Sequence, residues 1–361
     1  MTTLKVGNIE HPDGGSNAVS VGGTGGIELP SGTTGNRPTG SNGILRYNTT
    51  TNQIEYYHPT SQWNNIYANP NTYTAEILVI GGGGAGGYTN QGWVGGGGGA
   101  GGISYYNGAT LTMDTTYTVE VGSGATGPTS ATEQGDDNVA DNGQDSSILG
   151  AGVFMTAYGG GGGAGYRTDY TNGAAGGSGG GGEGGNRAGA AASLATKGTG
   201  GTAHYGNTGH PGTNGNPYDA GGGGGAGAAG QVGNGGSGTS DFSAWGAATS
   251  TGHNVSGTYY FAGGGSGGSY SGTPGTATNG GGGAGGSTGG GSGGNGIDGT
   301  GGGGGGRGRF NLGSGVGGNG GDGIVILRYA DSNGQHGSGG TVTQSGGYYY
   351  HVFTTSTTYT A

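Results

Sequence analysis

Asp136, Asp137, Asp141, Asn142 and Asp145 fall within one short stretch, and oxygen-bearing side chains at that density are the material of a calcium loop or a hydrolytic carboxylate pair. The spacing does not suit calcium, because Val139 and Ala140 stand where oxygen ligands should fall. A solvated acidic loop is the plainer reading. The seven histidines are dispersed; His204 and His210, the nearest pair, flank loop residues and read as structural or exposed rather than as zinc ligands. Gly82-x-Gly84-x-x-Gly87 follows a strand-like segment in the form of a dinucleotide fingerprint. That fingerprint works only where a helix begins, so that its first amides meet a pyrophosphate. Here Tyr88-Thr-Asn-Gln-Gly-Trp-Val94 and more glycine follow, with no acidic residue about 20 positions on. Lys197 follows Thr196, so no phosphate loop is present, and serine is too widespread to single out a Ser-His-acid set. Paired carboxylates usually sit on large apolar scaffolds that fix them, and this chain lacks one. The expectation is a non-enzymatic protein with no cofactor and no metal.

The elements that would have to position any of these groups are unusual. Glycine takes 110 of 361 positions, while hydrophobic residues make up 28% and charged residues 8%. Ordinary globular domains carry about 45–50% and about 25%. An oily core is therefore unavailable for much of the chain. What remains is the backbone, since every glycine brings a donor and an acceptor that must be paired if buried, and no side chain keeps neighbouring segments apart. Collagen needs strict Gly-X-Y spacing and far more than nine prolines. The remaining solution is a bundle of extended left-handed polyglycine helices, three residues per turn, bonded to one another sideways.

Charge and hydropathy narrow the partners. A formal net charge of -10 argues against nucleic acid, whose affinity comes largely from Lys and Arg neutralising phosphates. No stretch approaches the roughly 18 apolar residues of a membrane span, and no secretion signal is visible after Met1. Without cysteine, disulfides and thiolate zinc sites are excluded.

Three regions follow in order. Residues 1–75 read as a β-rich segment: a hairpin over 43–57, a third strand at Trp63 to Ile66, and another at 4–9. Residues 76–330 hold the glycine runs between two apolar strands, Glu76-Ile-Leu-Val-Ile80 and Ile324-Val-Ile-Leu-Arg-Tyr329. Further strands are expected at 103–106, over 111–121, and as a pair within 147–158. Together they make a small sheet or sandwich that anchors the polyglycine bundle. Almost no α-helix is expected, residues 188–197 being the sole candidate. Residues 331–361 form a linker and a strand completing the chain's own sheet or a neighbouring subunit's, since an unpaired edge invites strand addition. The assembly strand carries Tyr348, Tyr350, Val352 and Phe353. Asn71-Thr-Tyr-Thr-Ala75 also repeats the end of the chain, Thr357-Thr-Tyr-Thr-Ala361.

Gly43-Ile-Leu-Arg-Tyr-Asn-Thr-Thr-Thr-Asn-Gln-Ile-Glu-Tyr-Tyr57 followed by Trp63 resembles a hairpin repeat of bacteriophage tail fibres, and Met1-Thr-Thr-Leu-Lys-Val-Gly-Asn-Ile-Glu-His-Pro12 resembles the opening of cyanophage fibre proteins. The block from Glu76 to Tyr329 is similar to the glycine-rich domain of phage fibres and adhesins, including the tip adhesins of T-even-like phages. The resemblance implies a virion tail-fibre subunit, extracellular after assembly, that binds a host surface polysaccharide or outer-membrane protein through loops between glycine runs. Aromatics fall in those loops, among them Tyr88, Trp93, Tyr166 and Tyr170. The receptor-binding candidates are Tyr205, Tyr218, Phe242, Trp245, Tyr259, Tyr260 and Tyr270, because Tyr and Trp are rigid, amphipathic contact residues. The alternative is a filament subunit joined head to tail by strand donation from the C-terminus; identical subunits are expected partners in either case, as a closed oligomer or as a filament.

Overall fold

The computed structural model describes residues 29–38, 44–51, 53–58, 62–65, 72–89, 92–130, 139–165, 172–184, 198–199, 201–213, 217–309, 315–332 and 334–361. The chain divides into two compact units, Met1–Asn71 and Thr72–Ala361. The strand expected at 4–9, the helix expected at 188–197, and Asp136, Asp137, Tyr166 and Tyr170 lie outside the described residues.

In the first unit, β1 (Ser31–Gly32), β2 (Leu45–Asn48), β3 (Gln53–His58) and β4 (Gln62–Asn65) pair in that order, β1 parallel to β2 and the others antiparallel. Its buried interior is polar. Glu55 accepts from Arg37 at 2.7 and 3.2 Å and from Asn48 Nδ2 at 3.0 Å, with Arg46 Nε 3.4 Å away. These partners, Arg37 first, hold the Glu55 carboxyl below its ordinary range.

The second unit is mostly β-sheet with one short helix. Its strands are β5 (Thr72–Ile80), β6 (Ile103–Thr112), β7 (Thr116–Glu120), β8 (Ser146–Gly150), β9 (Val153–Ala157), β10 (Gly198–Thr199) and β11 (Ala203–Tyr205). Helix α1 (Ser243–Thr249) and the hairpin β12 (His253–Val255) and β13 (Thr258–Tyr260) follow. The chain ends in β14 (Ile324–Ala330), β15 (Thr341–Ser345), β16 (Tyr348–Phe353) and β17 (Thr357–Thr360). A six-stranded sheet runs β11-β6-β5-β14-β16-β15 and a five-stranded sheet β10-β9-β8-β7-β17. Strand β5 begins at Thr72 rather than Glu76 because Tyr73 and Ala75 continue the inward alternation. The single strand expected over 111–121 is broken at Asp114, which takes φ 57 and turns the chain from one sheet to the other.

The two apolar runs are continuous because the six-stranded sheet is covered on both faces. Ile77, Val79, Val325 and Leu327 point into the core between the sheets, with Tyr117, Val119, Ile148, Met155, Phe353 and Tyr359. Leu78, Ile80, Ile324 and Ile326 point the other way, beneath Phe242, Trp245 and Phe261. Each fully buried Val, Ile or Leu contributes about 1.5–3 kcal/mol, so these eight side chains tie the sheet to both of its covering layers. The repeated Thr-Tyr-Thr-Ala segments lie on opposite sheets, and the Tyr73 and Tyr359 hydroxyls hydrogen-bond to each other. Burial raises both phenols above their ordinary values.

Beyond the strand ends, amides hold the glycine runs together. Gly81, Gly84 and Gly87 donate to the carbonyls of Gly102, Gly99 and Gly96 at 2.8–3.0 Å; Gly82 and Ala85 donate to Gln144 and Asp141; Gly83 and Gly86 donate to Gly321 and Gly318. Successive residues thus address three different neighbours, and the same neighbour returns every third residue. The run 95–102 obeys the same rule, with Gly95, Gly98 and Gly101 donating to Arg307, Gly304 and Gly301. Glycine is needed here for closeness: a Cβ on Gly86 would fall on the Gly305 carbonyl oxygen. Where a neighbouring carbonyl is lacking, side chains replace it. Gly127 and Gly124 donate to Asn319 Oδ1 (2.7 Å) and Asp322 Oδ1 (2.8 Å); Val316, Asn319 and Asp322 donate to Ser292, Asn295 and Asp298.

Candidate functional site

The expected receptor-binding residues divide between the two ends of the glycine runs. Tyr205, Phe242 and Trp245 gather at the sheet end. Phe242 and Trp245, each 4% exposed, pack on Tyr105 at 5.2 and 6.1 Å, and Tyr205 stands edge-on to Phe242 at 5.8 Å. Helix α1 is short because Ser250 leaves it at φ 57, and its Gly246 admits Tyr259 close against it. Tyr259 and Tyr260 are half-buried on β13. Seven residues are too few to display a helical period, so α1 has no signal in the sequence beyond Ala244, Ala247 and Ala248.

The assembly-strand residues share this end. Strand β16 is flanked on both sides by strands of its own chain, β14 and β15. Tyr350, Val352 and Phe353 are buried and Tyr348 is half-buried. The Arg328 guanidinium lies between Trp245 and Tyr348, 4.4 Å from each ring, and is clamped to the Glu76 carboxylate at 2.8–3.0 Å. A groove of about 460 Å³ opens beside it, floored by Ala244, Ala247 and Ala248.

Tyr218 and Tyr270 lie at the opposite end, with Trp93, where the run 81–87 turns back into 95–102. Their rings are 5.3 Å apart, and Trp93 is 6.2 Å from each. All three are half-buried. The turn carrying Trp93 is stitched from beneath: Thr89 Oγ1 donates to the Trp93 carbonyl (2.8 Å), and the buried Arg307 donates to the Thr89 carbonyl. Arg307 also lies 4.6 Å over Tyr88, and burial lowers its pKa. Arg309 covers one face of Tyr270 at 4.0 Å. Asp219 follows Tyr218 in the chain, and its Oδ1 accepts from Ser269 Oγ (3.0 Å) and the Tyr270 amide (3.1 Å).

The groups with catalytic or metal-binding potential are dispersed. Asn142 Oδ1 and Asp145 Oδ1 accept from Gly162 and Gly159, so they belong to the amide network. His204 Nδ1 meets Ser104 Oγ at 3.0 Å, and His210 Nδ1 meets the Pro211 carbonyl at 2.6 Å. Among the described residues no group of three or more His, Asp or Glu could hold a metal ion. The amides of Gly82, Gly84 and Gly87 are bonded to carbonyls of other runs, leaving them no part in holding a phosphate. No described helix is long and apolar enough to cross a membrane.

The family model described as a glycine-rich domain matches residues 58–330. No curated protein and no solved structure matches the chain.

Proposed function

Since the chain belongs to the glycine-rich domain family, we propose that it is a non-enzymatic adhesive subunit of a phage tail fibre, whose glycine runs are left-handed polyglycine helices presenting a recognition surface at the end remote from the sheets. The observation that carries this reading is the return of the same neighbour at every third amide, the repeat of a three-residue-per-turn helix. A scaffold bonded through amides has few side chains of its own, so recognition falls to the residues that close its ends. At the remote end these are Trp93, Tyr218 and Tyr270, aromatic residues that lose little entropy on binding. At the sheet end, Phe242 and Trp245 are occupied in covering Leu78, Ile80 and Ile326. The position of β16 between two strands of its own chain favours a receptor-binding subunit over a filament joined by strand donation.

The test is binding of the labelled full chain to a panel of bacterial strains, cyanobacteria included. At least one strain should bind saturably, and Trp93→Ala should abolish that binding while leaving the melting temperature and oligomer size unchanged. Failure to bind any strain, or undiminished binding by Trp93→Ala and Tyr270→Ala, refutes the reading; unlimited polymerisation of the full chain supports the filament instead.

A further inference from the structure

The remote end holds more than an aromatic cap. Asp219 is a fixed carboxylate: Ser269, itself 1% exposed, and the Tyr270 amide both hold its Oδ1. Its other oxygen faces Gly272, an exposed position where a Cβ would stand 3.3 Å from Oδ2. A hydrogen-bond acceptor held by two donors thus follows Tyr218 in the chain and is bonded to the Tyr270 amide, the two residues whose rings cluster with Trp93. One face of Tyr270 is taken by Arg309, so the rings cannot simply stack with a planar aromatic ligand on both sides.

We infer that the Trp93–Tyr218–Asp219–Tyr270 surface binds a neutral pyranose unit of a glycan; the inference rests on the adhesive reading above and names its ligand class. A pyranose has an apolar C–H face that packs on an aromatic ring and a rim of hydroxyls that donate to a carboxylate. Asp219 Oδ2 accepts from a hydroxyl while Trp93 or Tyr218 meets the C–H face. An acidic sugar is disfavoured twice, by the carboxylate it would face and by the net charge of -10 that repels polyanions. An apolar peptide would leave Asp219 facing unpaired groups as it is desolvated.

Saturation-transfer NMR on the full chain with methyl α-glucoside, α-mannoside and α-galactoside as neutral probes, and methyl glucuronide as the charged control, tests this directly. At least one neutral pyranoside should give transfer to its ring C–H protons, and the glucuronide less. Trp93→Ala should abolish the signal, and the isosteric Asp219→Asn should weaken binding about tenfold. Because Asp219→Asn could loosen the loop, Gly272→Ala, whose Cβ would press tightest on Oδ2 (3.3 Å) and make only ordinary contacts with Ser269 Oγ (3.6 Å) and Oδ1 (3.9 Å), serves as a second variant and should weaken binding at unchanged melting temperature. No transfer from any neutral probe, stronger transfer from the glucuronide, or binding untouched by both Asp219→Asn and Gly272→Ala overturns the inference. If cells are still bound through Trp93 while no sugar binds or competes, the adhesive reading stands and the glycan falls; if neither cells nor sugars bind, both fall.

Discussion

Replacing Gly86 by alanine puts the amide network to its most direct test. The added Cβ would fall on the Gly305 carbonyl oxygen, with the Gly306 nitrogen also within reach, so the run 299–308 has to move outward. Overpacking of this kind costs about 1–3 kcal/mol. The same displacement pulls on Gly304 N–H to Gly84 (2.9 Å) and Arg307 N–H to Gly87 (3.0 Å), two buried bonds at about 1 kcal/mol each. The sum is about 3–5 kcal/mol, or a fall in melting temperature of roughly 10 °C for a domain of this size. Gly108 is the control: at φ +92 with no atom within 4 Å of a Cβ, its alanine variant meets only backbone strain, about 1–2 kcal/mol. Both variants are compared by calorimetry and urea denaturation. A loss at Gly86 no larger than that at Gly108 would show that close approach is not why glycine occupies these runs.

Asn319→Ala should lower stability by about 1–2 kcal/mol and speed hydrogen exchange at the Gly127 amide, whose acceptor it removes. Buried His351 has Nδ1 2.8 Å from the Gly339 carbonyl and Nε2 3.0 Å from the Tyr329 hydroxyl, with the Tyr359 ring edge-on at 4.9 Å. Burial depresses its pKa below the ordinary 6.5. The unfolded chain therefore binds the proton first, and stability should fall as pH drops below about 6.5 and through the lower folded value; denaturation at stepped pH should show a slope that His351→Gln flattens. Tyr73→Phe leaves the buried Tyr359 hydroxyl without this partner and should cost about 1–3 kcal/mol by denaturant titration.

Much of the strand framework can be read from the sequence, and much of the packing cannot. Ile77 to Ile80 and Ile324 to Leu327 announce strands through continuous apolarity, and their mutual pairing follows from the same feature. That continuity also signals a second covering layer, because alternate residues need burial on both faces. The cover is Phe242 and Trp245, which look like exposed loop aromatics when judged only by their position between glycine runs. Which run lies beside which is hidden for a physical reason: glycine has no side chain to distinguish one neighbour from another. Legible marks survive only at the margins of the network, where Ser292, Asn295 and Asp298, then Asn319 and Asp322, recur at every third position. The Trp93, Tyr218 and Tyr270 cluster joins residues far apart in the chain, and its composition alone suggests it. Asp219 carries no signal until Ser269 and Gly272 are placed around it.

The three-way rotation of amides along each run sets a reading frame for evolution. Adding or deleting one residue inside the run 81–87 would turn every later N–H toward the wrong neighbour, so that Gly84, bonded to Gly99, would present its amide where another run lies. Only changes in whole multiples of three keep the frame. Homologous chains should therefore differ in run length by triplets.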